Sequence, residues 1–234
     1  MFKPETLKKY TEKTAAIVKE YANAIKAGKP VNVSISKGNR KIGDVYNVSI
    51  APGLTCGNCS HCIVICYDIK AGIQYKNVRN ARGKNTALAI YNEQEYFKQI
   101  REFIARRRTH MFFRWHVGGE ILSGSYFAEM VKTAEMFPNW TFWTYTKMYT
   151  YVNQFVRDGG TIPENFKIMF SEWDGMPLVN PYNFPVFSCK LKAGNINHNS
   201  EYFESLYKCP GNCNICKAAG RGCIAGESTY TIEH

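Results

Sequence analysis

The sequence contains no long apolar run, and this limits where the protein can act. No stretch reaches the roughly eighteen consecutive apolar residues of a membrane-spanning helix. The first ten residues, Met1 to Tyr10, also lack the apolar core of a secretory signal peptide. Internal repeats, heptads and low-complexity segments are absent as well. We therefore expect a cytoplasmic protein with no membrane partner.

Cysteine is not scarce in this sequence, although disulfides are rare in a reducing cytoplasm. The chain has nine cysteines, and all except Cys189 lie in two tight clusters. In such a compartment, clustered cysteines indicate metal binding or catalysis more often than disulfides. The question of function therefore begins with two candidate metal sites.

The first cluster has its cysteines separated by two, two and three residues; they are Cys56, Cys59, Cys62 and Cys66. Structural zinc sites usually join two cysteine pairs a dozen or more residues apart, because a small ion needs two chain segments around it. The spacing here matches the bacterial ferredoxin run, although Tyr67 replaces the proline that follows. We predict a [4Fe–4S] cluster, with zinc, or thiols that serve a redox or structural role, as alternatives. His61, inside the loop, is a further candidate ligand or proton donor.

The second cluster has separations of three, two and six residues; its members are Cys209, Cys213, Cys216 and Cys223. A three-then-two spacing resembles the cluster motif of radical S-adenosylmethionine enzymes, in which one iron stays open for the cofactor. This cluster, however, follows the last predicted strand of the core. We therefore expect an auxiliary [4Fe–4S] cluster closed by Cys223, with zinc as the alternative. The chain would then hold one or two clusters.

Hydrophobic periodicity predicts an α/β fold. Residues 4–27 form a predicted helix, and stretches 31–36 and 44–51 form a predicted hairpin that turns at residues 37–40. Strands and helices then alternate, with helices at 93–108, 125–137 and 148–157 and strands at 110–117, 140–146, 166–172 and 184–189. The pattern predicts a partial parallel (β/α) barrel or an open sheet of about five strands. We expect residues 1–190 to form the core domain, with 191–234 as a metal-stabilised, cysteine-rich extension packed on it.

A possible ligand site follows the strand at 110–117. Ligands of parallel α/β sheets bind beyond the carboxyl ends of the strands, where the first cysteine loop and Gly118-Gly119-Glu120 are both expected. Two glycines let backbone carbonyls approach a ligand, and Glu120 supplies a carboxylate for an ammonium group. The simpler alternative is a turn with an exposed Glu120.

This arrangement resembles the radical S-adenosylmethionine superfamily over about residues 44–190. There, the cluster loop follows the first strand, and a Gly-Gly-Glu motif after the second receives the amino group of the cofactor. The resemblance implies S-adenosylmethionine as a ligand of Gly118, Gly119 and Glu120. The chain departs from the superfamily because its first loop has a fourth cysteine, Cys66, and lacks the three-then-two order.

The chain is also similar to a phage and mobile-element family called gene product eighty-eight. The stretches that carry this resemblance are 35–43, 55–67, 116–121, 143–147 and the cysteine-rich tail. The resemblance implies a mobile-element origin, and thus the cytosol of a bacterial host, but no particular reaction.

These observations predict an iron–sulfur protein of radical S-adenosylmethionine type, with redox or radical chemistry at a cluster facing Glu120. An enzyme and an electron carrier both stay open, and the electron donor and the small-molecule substrate are unidentified. The alternative is a non-enzymatic basic module, stabilised by iron–sulfur or zinc, that binds nucleic acid. The net charge of +11 favours that alternative. Two four-thiolate clusters of about −2 each would nevertheless lower the charge to roughly +7.

Overall fold

A computed structural model describes residues 1–39, 41–57, 62–107 and 111–233. Arg40, Arg108 and His110, which lie at the ends of expected elements, fall outside these ranges. The described helices are α1 (Pro4–Lys26), α2 (Tyr67–Gln74), α3 (Lys76–Tyr91), α4 (Glu93–Ala105), α5 (Gly124–Met136), α6 (Tyr149–Arg157), α7 (Ser200–Glu204) and α8 (Cys213–Ala219). The strands are β1 (Ile35–Asn39), β2 (Gly43–Val48), β3 (Phe112–Trp115), β4 (Thr141–Thr146), β5 (Phe166–Ser171), β6 (Val186–Lys190), β7 (Tyr207–Lys208) and β8 (Thr229–Ile232). Short 3₁₀ helices occupy Cys62–Ile65 and Gly222–Ala225.

The strands form one open, mostly parallel sheet in the order β1-β2-β3-β4-β5-β6-β8-β7. The pairs from β3 to β6, and the pairs of β8 with β6 and β7, are all parallel. The expected α/β class and open parallel sheet are confirmed, but the count of about five strands was wrong. The sequence predicted the two strands of the hairpin and four further strands, and the strands that it missed are β7 and β8 in the tail. Strand β1 begins four residues later than the expected stretch 31–36, whereas β2 begins one residue earlier and ends three residues earlier than the expected stretch 44–51.

The chain divides into two compact units. The first comprises Met1–Ser36, Asn47–Thr109 and His116–Thr133, and the second comprises Lys37–Tyr46, His110–Trp115 and Ala134–His234. The expected boundary at residue 190 stays a prediction. No helix in the described part of the chain has both the length and the apolar character needed to cross a bilayer.

In the first unit, helix α3 anchors the chain that leads into the first cysteine loop. The buried Asn85 side chain donates hydrogen bonds to the carbonyls of Ser34 and Ser49, both at 2.9 Å. The hydroxyl of Thr86 accepts a hydrogen bond from the N–H of Ala51 at 2.8 Å. Polar side chains on this helix therefore satisfy backbone groups that would otherwise be buried without partners.

In the second unit, the cysteine-rich tail covers one face of the sheet. Phe113 pairs with Phe142 in register, and both are fully buried. Because successive residues point to opposite faces, the neighbouring pair, Arg114 and Trp143, lies on the other face. The cysteine-rich tail covers that second face: the Lys217 ammonium lies 5.3 Å from the centre of the Phe112 ring.

The tail has packing of its own that the sequence did not predict. Strand β8 pairs along its length with β6, and Phe203 is 2% exposed. Strand pairing and apolar burial thus account for order in a segment expected to depend on metal. Stabilisation of the tail by a metal stays a prediction.

Candidate metal centres

The flanks of the first cysteine loop lie against the Gly118-Gly119 turn. The Tyr67 hydroxyl donates a hydrogen bond to the carbonyl of Val117 at 2.6 Å. Gly119 has a φ of +89°, and a Cβ placed there would lie 2.9 Å from the Thr55 hydroxyl oxygen. Glycine is therefore needed at position 119 both for its backbone conformation and for space. The described flanks of the loop therefore lie beside the turn in the first unit, as parallel-strand geometry led us to expect.

A buried ion pair lies beside Gly118, the first glycine of this turn. Asp68 and Arg82 have side chains that are 3% and 14% exposed, and their two hydrogen bonds measure 2.9 and 3.1 Å. A Cβ added at Gly118 would overlap the Asp68 carboxylate. The turn is also held by the Ser49 hydroxyl, which accepts from the N–H of Val117 at 3.1 Å. Glu120, the proposed carboxylate ligand, is 7% exposed, so the expectation of an exposed turn residue is not met.

Three cysteines of the first loop belong to the described residues, namely Cys56, Cys62 and Cys66. Cys59 and His61 lie outside the described residues. Burial raises the pKa of the Cys66 thiol to about 11, although backbone N–H groups of Ile69 and Asp68 hydrogen-bond its sulfur and oppose that rise. Backbone donors to sulfur are a common feature of iron–sulfur ligation.

The second cluster forms on the face of the sheet that carries Arg114. Its four cysteines are free thiols and interact electrostatically with one another. The backbone fixes two of them: the N–H of Cys209 donates to the Tyr230 carbonyl at 2.8 Å, and that of Cys213 donates to the Lys41 carbonyl at 2.9 Å. Cys223 is buried within the second 3₁₀ helix.

Burial and charge act in opposite directions on these thiols. Burial raises the pKa of Cys223 to about 11, while a hydrogen bond from the Tyr145 hydroxyl and the charge of Arg114 lower it. Burial likewise raises the pKa of Cys213, and Arg114 opposes it. The Arg114 guanidinium lies 4.6 Å from the centre of the Tyr145 ring. The thiols of Cys213, Cys216 and Cys223, whose pKa values are all raised, are therefore neutral near pH 7, but groups that favour the thiolate form already lie beside them.

No three His, Cys, Asp or Glu side chains among the described residues are grouped so that they could hold a metal ion. The finding covers the second cluster, because all four of its cysteines are described. It does not cover the complete first loop, because Cys59 and His61 lie outside the described residues. All eight cysteine ligands, and Gly118, Gly119 and Glu120 as cofactor ligands, stay predictions.

Sequence reasoning missed Arg114 and Tyr145 beside the second cluster. Their strands were predicted, but no local signal indicates that the tail returns to cover that face. It also missed a buried group in the second unit, where Glu172 meets Ser188, His198 and Tyr202. The position of Glu172 at the end of a parallel strand was the available signal.

The comparisons with known proteins give a family and no activity. The family model described as Gene product 88 matches residues 6–178, well over half of the 234 residues. The match includes the first cysteine loop and Glu120 and ends before the second cluster. No curated protein and no solved structure was found to match the chain. The chain therefore belongs to the gene product 88 family, the phage and mobile-element family to which its motifs pointed.

Proposed function

We propose that this protein is an iron–sulfur redox protein. Cys209, Cys213, Cys216 and Cys223 would hold one [4Fe–4S] cluster, and the loop from Cys56 to Cys66 would hold another. The observation that carries the proposal is the environment of the four tail cysteines. Four free thiols share one side of the sheet with a guanidinium, and hydroxyl groups hydrogen-bond two of the sulfurs.

The residues around the tail cysteines would suit an anionic cluster, and binding it would require the four sulfurs to draw closer together than they lie in this structure. Four thiolates around iron leave net negative charge, which a protein offsets with cations and hydrogen bonds to sulfur. Here Arg114 supplies the cation, Tyr145 donates to Cys223, and Tyr207 donates to Cys216. When bound, such a cluster supplies one-electron transfer at a potential set by these same features.

The chain's own residues would hold and tune the second centre. Arg114 would favour the more negative, reduced form and so raise the reduction potential. Tyr145, half-buried beside Cys223, would restrict the access of water from that side. The four thiols must lose their protons when iron binds, so loading should improve as pH rises.

The first centre supports the proposal through its neighbour, the Gly118-Gly119-Glu120 turn. The turn lies against the loop flanks at Thr55, Tyr67 and Asp68. Glu120 would offer its carboxylate to the ammonium group of a ligand such as S-adenosylmethionine. Radical chemistry at this centre is the finer form of the proposal, and it requires an open iron that Cys66 does not occupy.

Anaerobic purification tests the iron. We expect brown protein that absorbs broadly near roughly 400 nm, with about eight irons per chain. Cys213→Ser combined with Cys216→Ser should remove about half of the iron. Cys189→Ser is the matched control, because Cys189 lies outside both clusters, and it should keep the full amount. Colourless protein with zinc would overturn the proposal and favour the nucleic-acid module, whose affinity should fall steeply with salt.

Electron paramagnetic resonance tests whether the first centre binds S-adenosylmethionine for radical chemistry. In the reduced protein, S-adenosylmethionine should change the spectrum of the first centre, and Glu120→Gln should weaken the cofactor's affinity. The double Cys213, Cys216 variant isolates the first centre for this measurement. An unchanged spectrum would restrict the protein to electron transfer with closed clusters.

A further inference from the structure

A buried carboxylate follows strand β5 in the second unit and receives three hydrogen bonds. Glu172 is 8% exposed. Its Oε2 accepts from the Tyr202 hydroxyl at 2.7 Å and from the Ser188 hydroxyl, and its Oε1 lies 2.7 Å from Nε2 of His198. The carboxyl end of a parallel strand is where α/β sheets place ligands.

The carboxylate determines which nitrogen of His198 carries the proton. Burial alone would raise the pKa of Glu172, but the hydrogen bonds from Ser188, Tyr202 and His198 outweigh it and lower that pKa. An ionised carboxylate can only accept, so neutral His198 holds its proton on Nε2 and its lone pair on Nδ1. Within the described part of the chain, Nδ1 takes part in no hydrogen bond. The side chain is 22% exposed.

The orientation of the His198 ring is fixed by its neighbours. It stacks on the Tyr202 ring with centroids 3.6 Å apart and planes 12° from parallel. It also packs nearly perpendicular to the Phe203 ring, with centroids 6.2 Å apart. A base held in one tautomer and one orientation is ready to accept a proton without rearrangement.

His198 and Tyr202 line a polar groove of about 430 Å³. One rim is pinned by Asp174, whose carboxylate accepts from the N–H groups of Ile196 and Asn197, each at 3.0 Å. No lysine or arginine belongs to the described residues that line the groove. The Lys190 ammonium lies over the neighbouring Phe203 ring, 5.5 Å from its centre, whereas the charged groups that interact with His198 itself are the carboxylates of Glu172 and Asp174. This charge repels anions, while amides and an imidazole suit hydroxyl groups. The other lining residues are Asn195, Ile196, Asn197 and Asn199.

We propose that this groove binds an uncharged, hydroxyl-rich small molecule and that His198 acts as a general base toward one of its hydroxyl groups. The lone pair of Nδ1 forms an Nδ1–H bond as the ligand O–H bond breaks, and the O–H bonding pair stays on the ligand oxygen as an alkoxide. The positive charge of the resulting imidazolium is balanced by the Glu172 carboxylate. The step requires no oxidant, reductant or metal. It is therefore independent of iron at the cysteine centres.

Acylation by diethyl pyrocarbonate, followed by peptide mass spectrometry, tests the base and its ligand. His198 should react roughly tenfold faster than His116. His116 is buried, and its Nε2 lies 2.8 Å from the Tyr126 hydroxyl oxygen. Glycerol, glucose and ribose are the neutral probes, and ribose 5-phosphate is the anionic partner of ribose. At least one neutral probe should slow acylation of His198 several-fold, and the phosphate should not. Protection by the phosphate alone, or by none of the four, would overturn the ligand class.

The tautomer tests the geometry separately. Nitrogen-15 spectra of the wild-type protein should show the proton of neutral His198 on Nε2. Glu172→Gln removes the charge and should slow acylation of His198 by roughly tenfold. Ser188→Ala keeps the bond between Glu172 and His198 and should preserve both the tautomer and the acylation rate. A wild-type proton on Nδ1 would overturn the assignment, even if Glu172→Gln failed to fold.

Discussion

The carboxylate of Asp68 lies so close to the α-carbon of Gly118 that a side chain at position 118 would overlap it. Asp68 is the second residue of α2 and follows Cys66 by two residues. The end of the first cysteine loop is thus coupled to the turn that carries Glu120. This coupling joins two motifs that are 50 residues apart in sequence, as Tyr67 and Val117 also are.

Gly118→Ala should destabilise the protein by about 1–3 kcal/mol, because the Asp68 carboxylate and its ion pair must move to admit the methyl group. Urea denaturation measures the loss. Gly124→Ala is the matched control, since a Cβ there would meet nothing within 4 Å. Equal stability of the two variants would show that the contact between Asp68 and Gly118 is not tight in solution.

Asp68→Asn should cost about 3–5 kcal/mol, because it leaves the charge of Arg82 buried without its counter-ion. Asp44→Asn provides the comparison: Asp44 faces Lys37 at 3.6 Å, but both side chains are more than 60% exposed. Such a surface pair contributes about 0–1 kcal/mol. Chemical denaturation of both variants should therefore separate them clearly, and similar small losses would mean that water reaches the Asp68 pair.

Elements with a regular apolar period were predictable from the sequence. Helix α4 shows Tyr96, Phe97, Ile100 and Ile104 on one face, and all four are buried. Helix α3 was missed because its buried residues include Asn85 and Thr86, which hydrogen-bond to backbone groups distant in sequence. A polar residue buried for such a reason breaks the apolar pattern on which the prediction depends.

The same limit applies to the sites. The meeting of the first cysteine loop with Gly118 and Gly119 was predictable, since both follow neighbouring strands. The position of Arg114 beside Cys213 and Cys223 was not, because it requires the tail to return to the sheet through β8. Strands of two to four residues, such as β7 and β8, are too short to show alternation.

Glu172 should make stability depend on pH in the acid range. Its pKa is lowered in the folded protein, so its contribution is complete above the unfolded value of about 4.3 and is lost as pH falls through the folded value. The free energy of unfolding of the wild type should therefore fall more steeply below about pH 5 than that of Glu172→Gln. Urea unfolding from pH 7 downward measures both slopes. Ser188→Ala, which removes one donor to the carboxylate, should give an intermediate slope, and parallel curves for all three proteins would contradict the assignment.

Arg114→Gln should slow alkylation of Cys213 and Cys223 in metal-free protein by about two- to tenfold near neutral pH. The guanidinium lowers the pKa of both thiols against the effect of burial, and only the thiolate reacts. Iodoacetamide labelling with mass spectrometry gives the rates, with Cys189 as internal reference. Arg157→Gln, at an exposed arginine in the same unit, should leave the rates unchanged. Faster labelling in Arg114→Gln would mean that Arg114 protects the thiols by covering them.

Phe203→Ala and Cys213→Ala should distinguish packing from metal as the source of order in the tail. Phe203 is buried, and its ring centre lies 5.5 Å from that of Tyr230 in β8; removing such a ring costs about 3–5 kcal/mol. Phe203→Ala should therefore increase proteolysis after Lys192 with or without iron. Cys213→Ala removes only a ligand, so it should increase that cleavage in iron-loaded preparations and leave the metal-free protein unchanged. If Cys213→Ala resists protease as well as the loaded wild type does, strand pairing and Phe203 suffice to order the tail, and the cysteines serve chemistry instead of stability.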